Sequence, residues 1–365
     1  MFSLSEKDTT TMSKIKVAQI GVGYWGPALL RNLISNGRCE VSMVAELSAE
    51  RRTFVEKSFP GIPVVDDPKY IFEDPEIKAV VIATPAATHF ELASRALRSG
   101  KHILVEKPMA TSVKEVHRLG QLAQERNLTA MVGHTFIYHP AVHYLRDIIN
   151  LGELGQVRYV YSQRLNLGRI RSDCDVLWNL APHDISIVQF LLGDPVPISV
   201  QKTGMDYVQR GIDDVVFVNI TYPNRVMANF HLSWLDPNRT RSLTVVGSEK
   251  MVVYDDTKPN KIAIYDKGID RFHNSASEMD YDRTSFSLRS GKVYEPTISS
   301  EEPLAIEVSH FLDCVEYGIE CWTGPEHAAK VVKILSDCDE SAPSTQARGA
   351  LLETGACQIP IEVWK

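Results

Sequence analysis

Apolar residues recur along the first 140 positions in short runs, each followed by a stretch with helical spacing. The run at 14–20 predicts a strand, after which a glycine-rich turn opens a helix reaching Asn36. Further strands are predicted at 41–45 and 63–65, separated by a charged helix at 49–58 that stops at Pro60-Gly61. The run AVVIA at 79–83 is apolar throughout and bounded by turn residues, as expected of a strand covered on both faces. A helix over 89–99 with Gly100 at its stop, a strand at 102–105, a helix at 112–126 and a strand at 129–132 continue the alternation. Strand and helix alternating at this spacing predict an α/β fold with a parallel, doubly wound sheet.

After His139-Pro140 the pattern changes. A helix at 141–150 leads into strands expected at 157–166, 198–203, 215–222, 226–234, 241–246, 251–254 and 261–265, with only 176–192 reading as a helix among them. Successive strands without helices between them predict an α+β unit with a large open sheet, mixed or antiparallel. Helices at 301–317 and 326–340 follow. The stretch 267–300 is polar and poorly patterned, and is expected to be a long surface loop. The expected division is a flexible polar leader at 1–13, a first domain at 14–139, a second at 140–340 and a tail at 341–365.

A chain of 365 residues is more than one ordinary domain requires, in keeping with that division. Its 44% hydrophobic and 23% charged residues exclude a disordered or fibrous protein. A net charge of −7 offers no broad positive field and argues against nucleic acid as a partner. No apolar run approaches the ~20 residues of a membrane-spanning helix, and the leader lacks the apolar stretch of a secretory signal. The six cysteines (Cys39, Cys174, Cys314, Cys321, Cys338, Cys357) include no CxxC pair, so no metal site is expected and reduced thiols of a cytoplasmic protein are.

The candidate chemistry begins at Gly21-Val-Gly23-Tyr24-Trp25-Gly26, a GxGxxG turn between a predicted strand and a predicted helix. Gly21 permits a tight turn, Gly23 lets the backbone approach a pyrophosphate, and Gly26 allows close helix–strand packing. Glu46 falls 20 residues beyond Gly26 at the end of the second strand, where a carboxylate can accept both ribose hydroxyls of NAD. Thr84-Pro85 and His89 follow the fourth strand, and Glu106-Lys107-Pro108 the fifth. Strand ends of this kind are where ligands bind on an open parallel sheet.

Taken together, GVGYWG, TPAATH, GKHILVEKP, VGHTFIYHPAV and WNLAPHDISIVQFLLG resemble the glucose–fructose oxidoreductase/inositol dehydrogenase (Gfo/Idh/MocA) family, in order from about residue 14 to 340. The run around His183 is similar to that of sugar-nucleotide 3-dehydrogenases acting on UDP-N-acetylhexosamines or their uronates. The resemblance implies an N-terminal Rossmann domain, a C-terminal domain whose open sheet packs against another subunit in a dimer or tetramer, and an active site between the two. It makes Lys107 the lysine of the EKP motif and His183 the helix histidine, with Asn179 one turn earlier on the same face. Many members carry aspartate there; an amide can hold a hydroxyl or an imidazole but cannot act as an acid or base. Many also carry arginine where this chain has Phe136 and Ile137. Phosphate recognition would then come from the segment Arg164, Asn166, Arg169, Arg171.

The expected activity is NAD-dependent oxidation of a secondary sugar hydroxyl, at C3 of a UDP-linked sugar. His183 or Lys107 would be the base, and the other would stabilise the developing oxyanion. Two rivals remain: a dehydrogenase of free polyols or simple sugars, and a sensor that binds NAD and sugar without catalysis.

Overall fold

The computed structural model describes residues 14–273 and 284–341; the expected leader at 1–13 and all but the first residue of the expected tail lie outside the described residues. Six strands, β1 (Ile15–Ile20), β2 (Cys39–Ala45), β3 (Val64–Val65), β4 (Ala79–Ile82), β5 (His102–Glu106) and β6 (Ala130–Gly133), form one parallel sheet in the order β3-β2-β1-β4-β5-β6. Helices α1 (Gly26–Ser35), α2 (Ala49–Ser58), α3 (Lys69–Glu73), α4 (His89–Arg98) and α5 (Val113–Glu125) connect them. β4 is fully buried, which explains its unbroken apolar run. The strand order reverses between β1 and β4, so a crevice opens there at the carboxyl ends of the strands.

The second sheet holds β7 (Val157–Leu167), β8 (Ser199–Met205), β9 (Val215–Tyr222), β10 (Val226–Ser233), β11 (Leu235–Gly247), β12 (Met251–Asp255), β13 (Ile262–His273) and β14 (Thr284–Tyr294). Their order is β14-β13-β12-β11-β7-β10-β9-β8, and the sheet is mixed because β10 and β7 run parallel while the other neighbours are antiparallel. The long loop expected at 267–300 is not there as such: β13 extends to His273 and β14 pairs with it. At this sheet edge the ladder and ion pairs of Arg289 with Asp266 and Asp270 hold the strands, so no alternating apolar pattern marks them.

Helix α6 (Pro140–Asn150) and the long α7 (Val176–Leu192) lie in the core between the sheets, and α7 buries twelve residues. Asp175 caps α7 by accepting the Trp178 N–H at 2.9 Å. Buried Lys202 on β8 binds Asp175, Asp213 and Asp339 at 3.0–3.3 Å, which fixes that helix start to the sheet and to the last helix. The final helices, α8 (Pro303–Tyr317) and α9 (Pro325–Ser341), return to the first domain. Ala328, Ala329 and Val332 join its core, and Arg31–Glu302, Arg38–Asp313 and Arg38–Glu316 pairs of 2.6 Å tie α8 to it. Among the described residues no helix is long and apolar enough to cross a membrane.

Candidate active site

The glycine turn occupies the crevice between β1 and β4. Gly21 has φ +89°, and a Cβ there would meet Ala83 O at 2.6 Å, so neither the backbone nor the space admits a side chain. At Gly23 the nearest atom to such a Cβ is 3.9 Å away, which leaves open space for a phosphate. No side chain caps the start of α1; Pro27 carries no N–H and the Ala28 N–H turns back to Trp25 O at 3.0 Å, so the positive end of the helix faces the turn with the Gly26 N–H. Buried Gln19 braces the turn, its Nε2 donating to Gly21 O at 2.9 Å and Gly26 O at 3.0 Å. Tyr24 is exposed and Trp25 partly so, at the rim of this turn.

Glu46 lies beside the turn. Its Oε2 accepts the Val22 N–H at 2.7 Å and its Oε1 the Ser48 N–H at 2.9 Å, so the carboxylate is fixed with lone pairs left for ribose hydroxyls. From α2, Arg51 donates to Val22 O at 2.7 Å, and Arg52 to Glu46 O at 2.9 Å and Leu47 O at 2.7 Å. These groups fit a dinucleotide.

Thr84 and Pro85 lie on the crevice, with Thr84 Oγ1 2.7 Å from Thr88 Oγ1. His89 differs from expectation. It is buried, with Nδ1 2.8 Å from Pro108 O and Nε2 2.8 Å from Thr84 O. The ring lies between the turns after β4 and β5; burial lowers it below the usual imidazole range, and the neutral ring donates its single N–H to one of these two carbonyls.

Lys107 is the centre of the site. Its Nζ donates to Asn179 O at 2.8 Å, across to α7. Pro182, inside that helix, has no N–H for the preceding turn, so the helix is missing one rung beside this carbonyl. Burial pushes the Lys107 amine down to about 8, opposed by the neighbouring Glu106. Burial likewise pushes the Glu106 carboxyl up to about 7, opposed by Lys107.

His183 stands one turn beyond Asn179, its ring edge-on to Phe136 at 5.0 Å between centroids. Burial and then the cations Lys107, Arg164 and Arg241 keep it neutral, far below the usual imidazole range. Its Nδ1 is buried with no hydrogen-bond partner. The Asn179 amide does not serve as an imidazole partner; its Oδ1 accepts the Trp234 indole N–H at 3.3 Å.

Arg164 corrects a second expectation. It is 6% exposed, and its Nε and Nη2 bind Asp184 at 2.5 and 3.2 Å while its guanidinium lies 4.5 Å over Phe136. Residues alternate faces along a strand, and position 164 of β7 points inward at α7. The fork is therefore occupied by Asp184. Asn166 is on the same face two residues on, partly exposed, with its amide folded against Gly168. Arg171 is exposed, paired with Asp173 at 2.5–2.9 Å, and close enough for its charge to act on Lys107.

Four residues of the site were not singled out from the sequence. The charge of His134 reaches His183 and that of Lys107 reaches His134; Arg241 lies over Phe136, and Thr135 donates to Glu307, which arrives from α8. Arg241 lies 5.9 Å and Arg164 4.5 Å from the centre of the Phe136 ring, so cations missing at positions 136 and 137 reappear around it. A signal existed for Glu307: it stands at helical spacing among Leu304, Val308 and Phe311, where an apolar residue is expected.

Comparison with known proteins agrees with this fold. The model of the oxidoreductase family with an NAD-binding Rossmann fold (GFO_IDH_MocA) matches residues 15–134, and that of the GFO/IDH/MocA C-terminal domain matches 142–253. A UDP-N-acetylglucosamine 3-dehydrogenase of Acidithiobacillus ferrooxidans is 30% identical over 264 residues, 70% of this chain and 79% of its own. An uncharacterized oxidoreductase of Streptococcus pneumoniae is 28% identical over 233 residues, and the match spans 59% of this chain and 61% of that relative. The solved structure of the Acidithiobacillus ferrooxidans UDP-N-acetylglucosamine 3-dehydrogenase superposes with a TM-score of 0.76 at 24% identity, covering 91% of this chain and 98% of that one, which shows the shared fold.

Proposed function

The chain belongs to the Gfo/Idh/MocA family of NAD-binding oxidoreductases, and from that premise we propose that it oxidises C3 of a UDP-linked N-acetylhexosamine, or of its uronate, to a ketone. The observation that carries the reading is the bond from Lys107 to Asn179 O, one helical turn before His183. It supports a single cleft at the sheet's carboxyl edge in which the amine and the imidazole meet one hydroxyl. Bound NAD⁺ supplies the hydride acceptor.

Lys107 is the base in this reading. Its amine is already lowered to about 8, and the positive nicotinamide ring lowers it further. His183 is a poor acceptor, because its uptake of a proton would add charge beside Lys107, Arg164 and Arg241. Its buried Nδ1 faces no acceptor, so the proton belongs on Nε2 and the ring donates to the substrate oxygen. The oxyanion formed as Lys107 takes the hydroxyl proton is stabilised by that donor. Replacement of the family's aspartate by Asn179 fits the same division, since the imidazole has no carboxylate to support its charging.

The diphosphate would lie towards Arg171 at the rim, with Asn166 on the sugar. Residues 14–139 hold the dinucleotide in this reading, and 140–340 hold the substrate and a second copy of the chain. Steady-state NADH formation at 340 nm with UDP-N-acetylglucosamine, its uronate, inositol and glucose tests the proposal. The nucleotide sugars should give the higher kcat/KM. Preference for a free polyol would replace the reading with a polyol dehydrogenase, and no NADH from any of them would leave a sensor.

A further inference from the structure

The inward-facing row of β11 runs Val245, Leu243, Arg241, and that of β7, paired with it in register, runs Val160, Ser162, Arg164. Val160, Leu243 and Val245 are buried in the core, and Ser162 and Arg164 bond Asp184 of α7, which covers this face. An arginine ending such a row needs an anion, and the two arginines are served differently. Arg164 is buried and holds both oxygens of Asp184. The Arg241 side chain is 33% exposed and meets one carboxylate oxygen, Asp256 Oδ2, at 3.4 Å. Asp256 is also shared, since Lys261 Nζ stands 3.5 Å and His139 Nε2 3.8 Å from its Oδ1. Burial holds His139 below the usual imidazole range, so it is neutral at pH 7. Arg241 and Lys261 therefore bring two positive charges to one carboxylate, and one positive charge is left over. Burial, and then the charges of Arg164 and Arg239, disfavour the Arg241 cation as it stands.

The unmatched guanidinium borders the proposed site. Arg241 Cζ is 5.9 Å from the centre of the Phe136 ring, and the His183 ring is edge-on to the same phenyl at 5.0 Å. A single aromatic ring thus links the imidazole to the cation. Phe136 and Arg241 are each only partly buried, so the pair faces open space.

A neutral sugar brings hydroxyls and an acetamide, none of which cancels a positive charge. A carboxylate does, and the planar guanidinium fork can take both of its oxygens. In a pyranose C6 is reached from C3 through C4 and C5, and the glycosyl phosphate through C2 and C1. A C6 carboxylate and the diphosphate therefore leave the reacting carbon in different directions, and one substrate can present an anion to Arg241 and another to Arg171.

We propose that Arg241 is a specificity residue for a carboxylate on the sugar ring, so that the preferred substrate is the uronate and not the neutral N-acetylhexosamine. The proposal rests on the reading of this cleft as a sugar site.

Equilibrium binding to the full-length protein saturated with NADH tests it without requiring turnover. Calorimetry gives dissociation constants for two matched pairs, UDP-N-acetylglucosamine with its uronate and glucose with glucuronate. The proteins are wild type, Arg241→Gln, Arg241→Lys and Arg239→Gln, each shown to be folded by urea unfolding. Within a pair, wild type should favour the acid by about tenfold or more, the scale of a charge-assisted hydrogen bond. Arg241→Gln should bring that ratio to within about twofold. Arg241→Lys keeps the charge without the fork and should retain part of the ratio. Arg239→Gln removes an exposed charge from the same strand and should leave the ratio at the wild-type value. No preference for the acid in wild type overturns the proposal. So does equal weakening of acid and neutral sugar by Arg241→Gln, which an arginine on the diphosphate would give, or an equal effect of Arg239→Gln. If the free pair binds and the nucleotide pair does not, the proposed activity fails while glucuronate against glucose still reads the carboxylate preference. Binding of none of the four overturns both.

Discussion

Lys107 of the β5 turn donates to the backbone carbonyl of Asn179 on α7 at 2.8 Å, and that bond joins the nucleotide-binding sheet to the helix bearing His183. The side chain of Asn179 is turned to Trp234, so the helix presents an amide carbonyl to the lysine and no carboxylate to the histidine. In the proposed activity, that arrangement favours Lys107 over His183 as the group that takes the substrate proton.

Lys107→Ala should lower kcat by ~10²-fold or more, and His183→Ala by a similar order, with NAD affinity little changed. The pH dependence separates their roles. With Lys107 as base, the unprotonated amine is the active form. Oxidation should rise with pH and level off once the amine, at about 8 before NAD⁺ binds and lower beside its positive ring, has lost its proton, while reduction of the ketone should fall over the same range. Substitution of Lys107 should abolish that limb, and substitution of His183 should leave it.

NAD should bind at least roughly tenfold more tightly than NADP, because Glu46 accepts ribose hydroxyls and repels a 2′-phosphate. Arg51 and Arg52 lie at the same edge, so Glu46→Ala should weaken NAD and bring the two dissociation constants together. Isothermal titration of both dinucleotides measures this; tighter NADP binding to the wild type would refute it.

Arg164 and Arg171 should separate in their effects. Arg164→Ala leaves Asp184 buried and unpaired, and thermal or urea unfolding should show a loss of about 3–5 kcal/mol. Arg171→Ala should leave stability within about 0.5 kcal/mol and raise KM for the UDP-sugar, since an exposed pair with Asp173 contributes little. NAD binding should be unaffected by the second substitution.

Self-association should proceed through the open face of the second sheet. Tyr159, Tyr161, Phe217 and Met227 are each 39–57% exposed on the neighbouring strands β7, β10 and β9, and Phe217 stacks on His231 at 4.2 Å. Light scattering should give a multiple of 40.9 kDa, and Met227→Arg with Tyr161→Arg should reduce it to the monomer. A wild-type monomer at micromolar concentration would contradict this.

The strands of the nucleotide half were legible because they are buried on both faces and read as apolar runs, as β4 does. The glycine turn and Lys107 were legible because their chemistry is local to a strand end. The later part of β13, beyond the expected 261–265, and all of β14 were not, since an edge pair held by backbone bonds and ion pairs needs no apolar stripe. Arg164 looked like a phosphate ligand because nothing in its own segment names Asp184, 20 residues away on α7. Glu307 meets Thr135 from 172 residues further along the chain; its place among apolar residues of α8 marks it as buried but does not name its partner.

The most direct measurement is the fate of deuterium placed at C3 of UDP-N-acetylglucosamine. Incubated with the protein and NAD⁺, this substrate should transfer its label to C4 of the nicotinamide, seen by NMR of the recovered dinucleotide, with a ketone appearing at C3 of the sugar. Unlabelled NADH, or no reduced dinucleotide from this sugar or its uronate, would contradict the account.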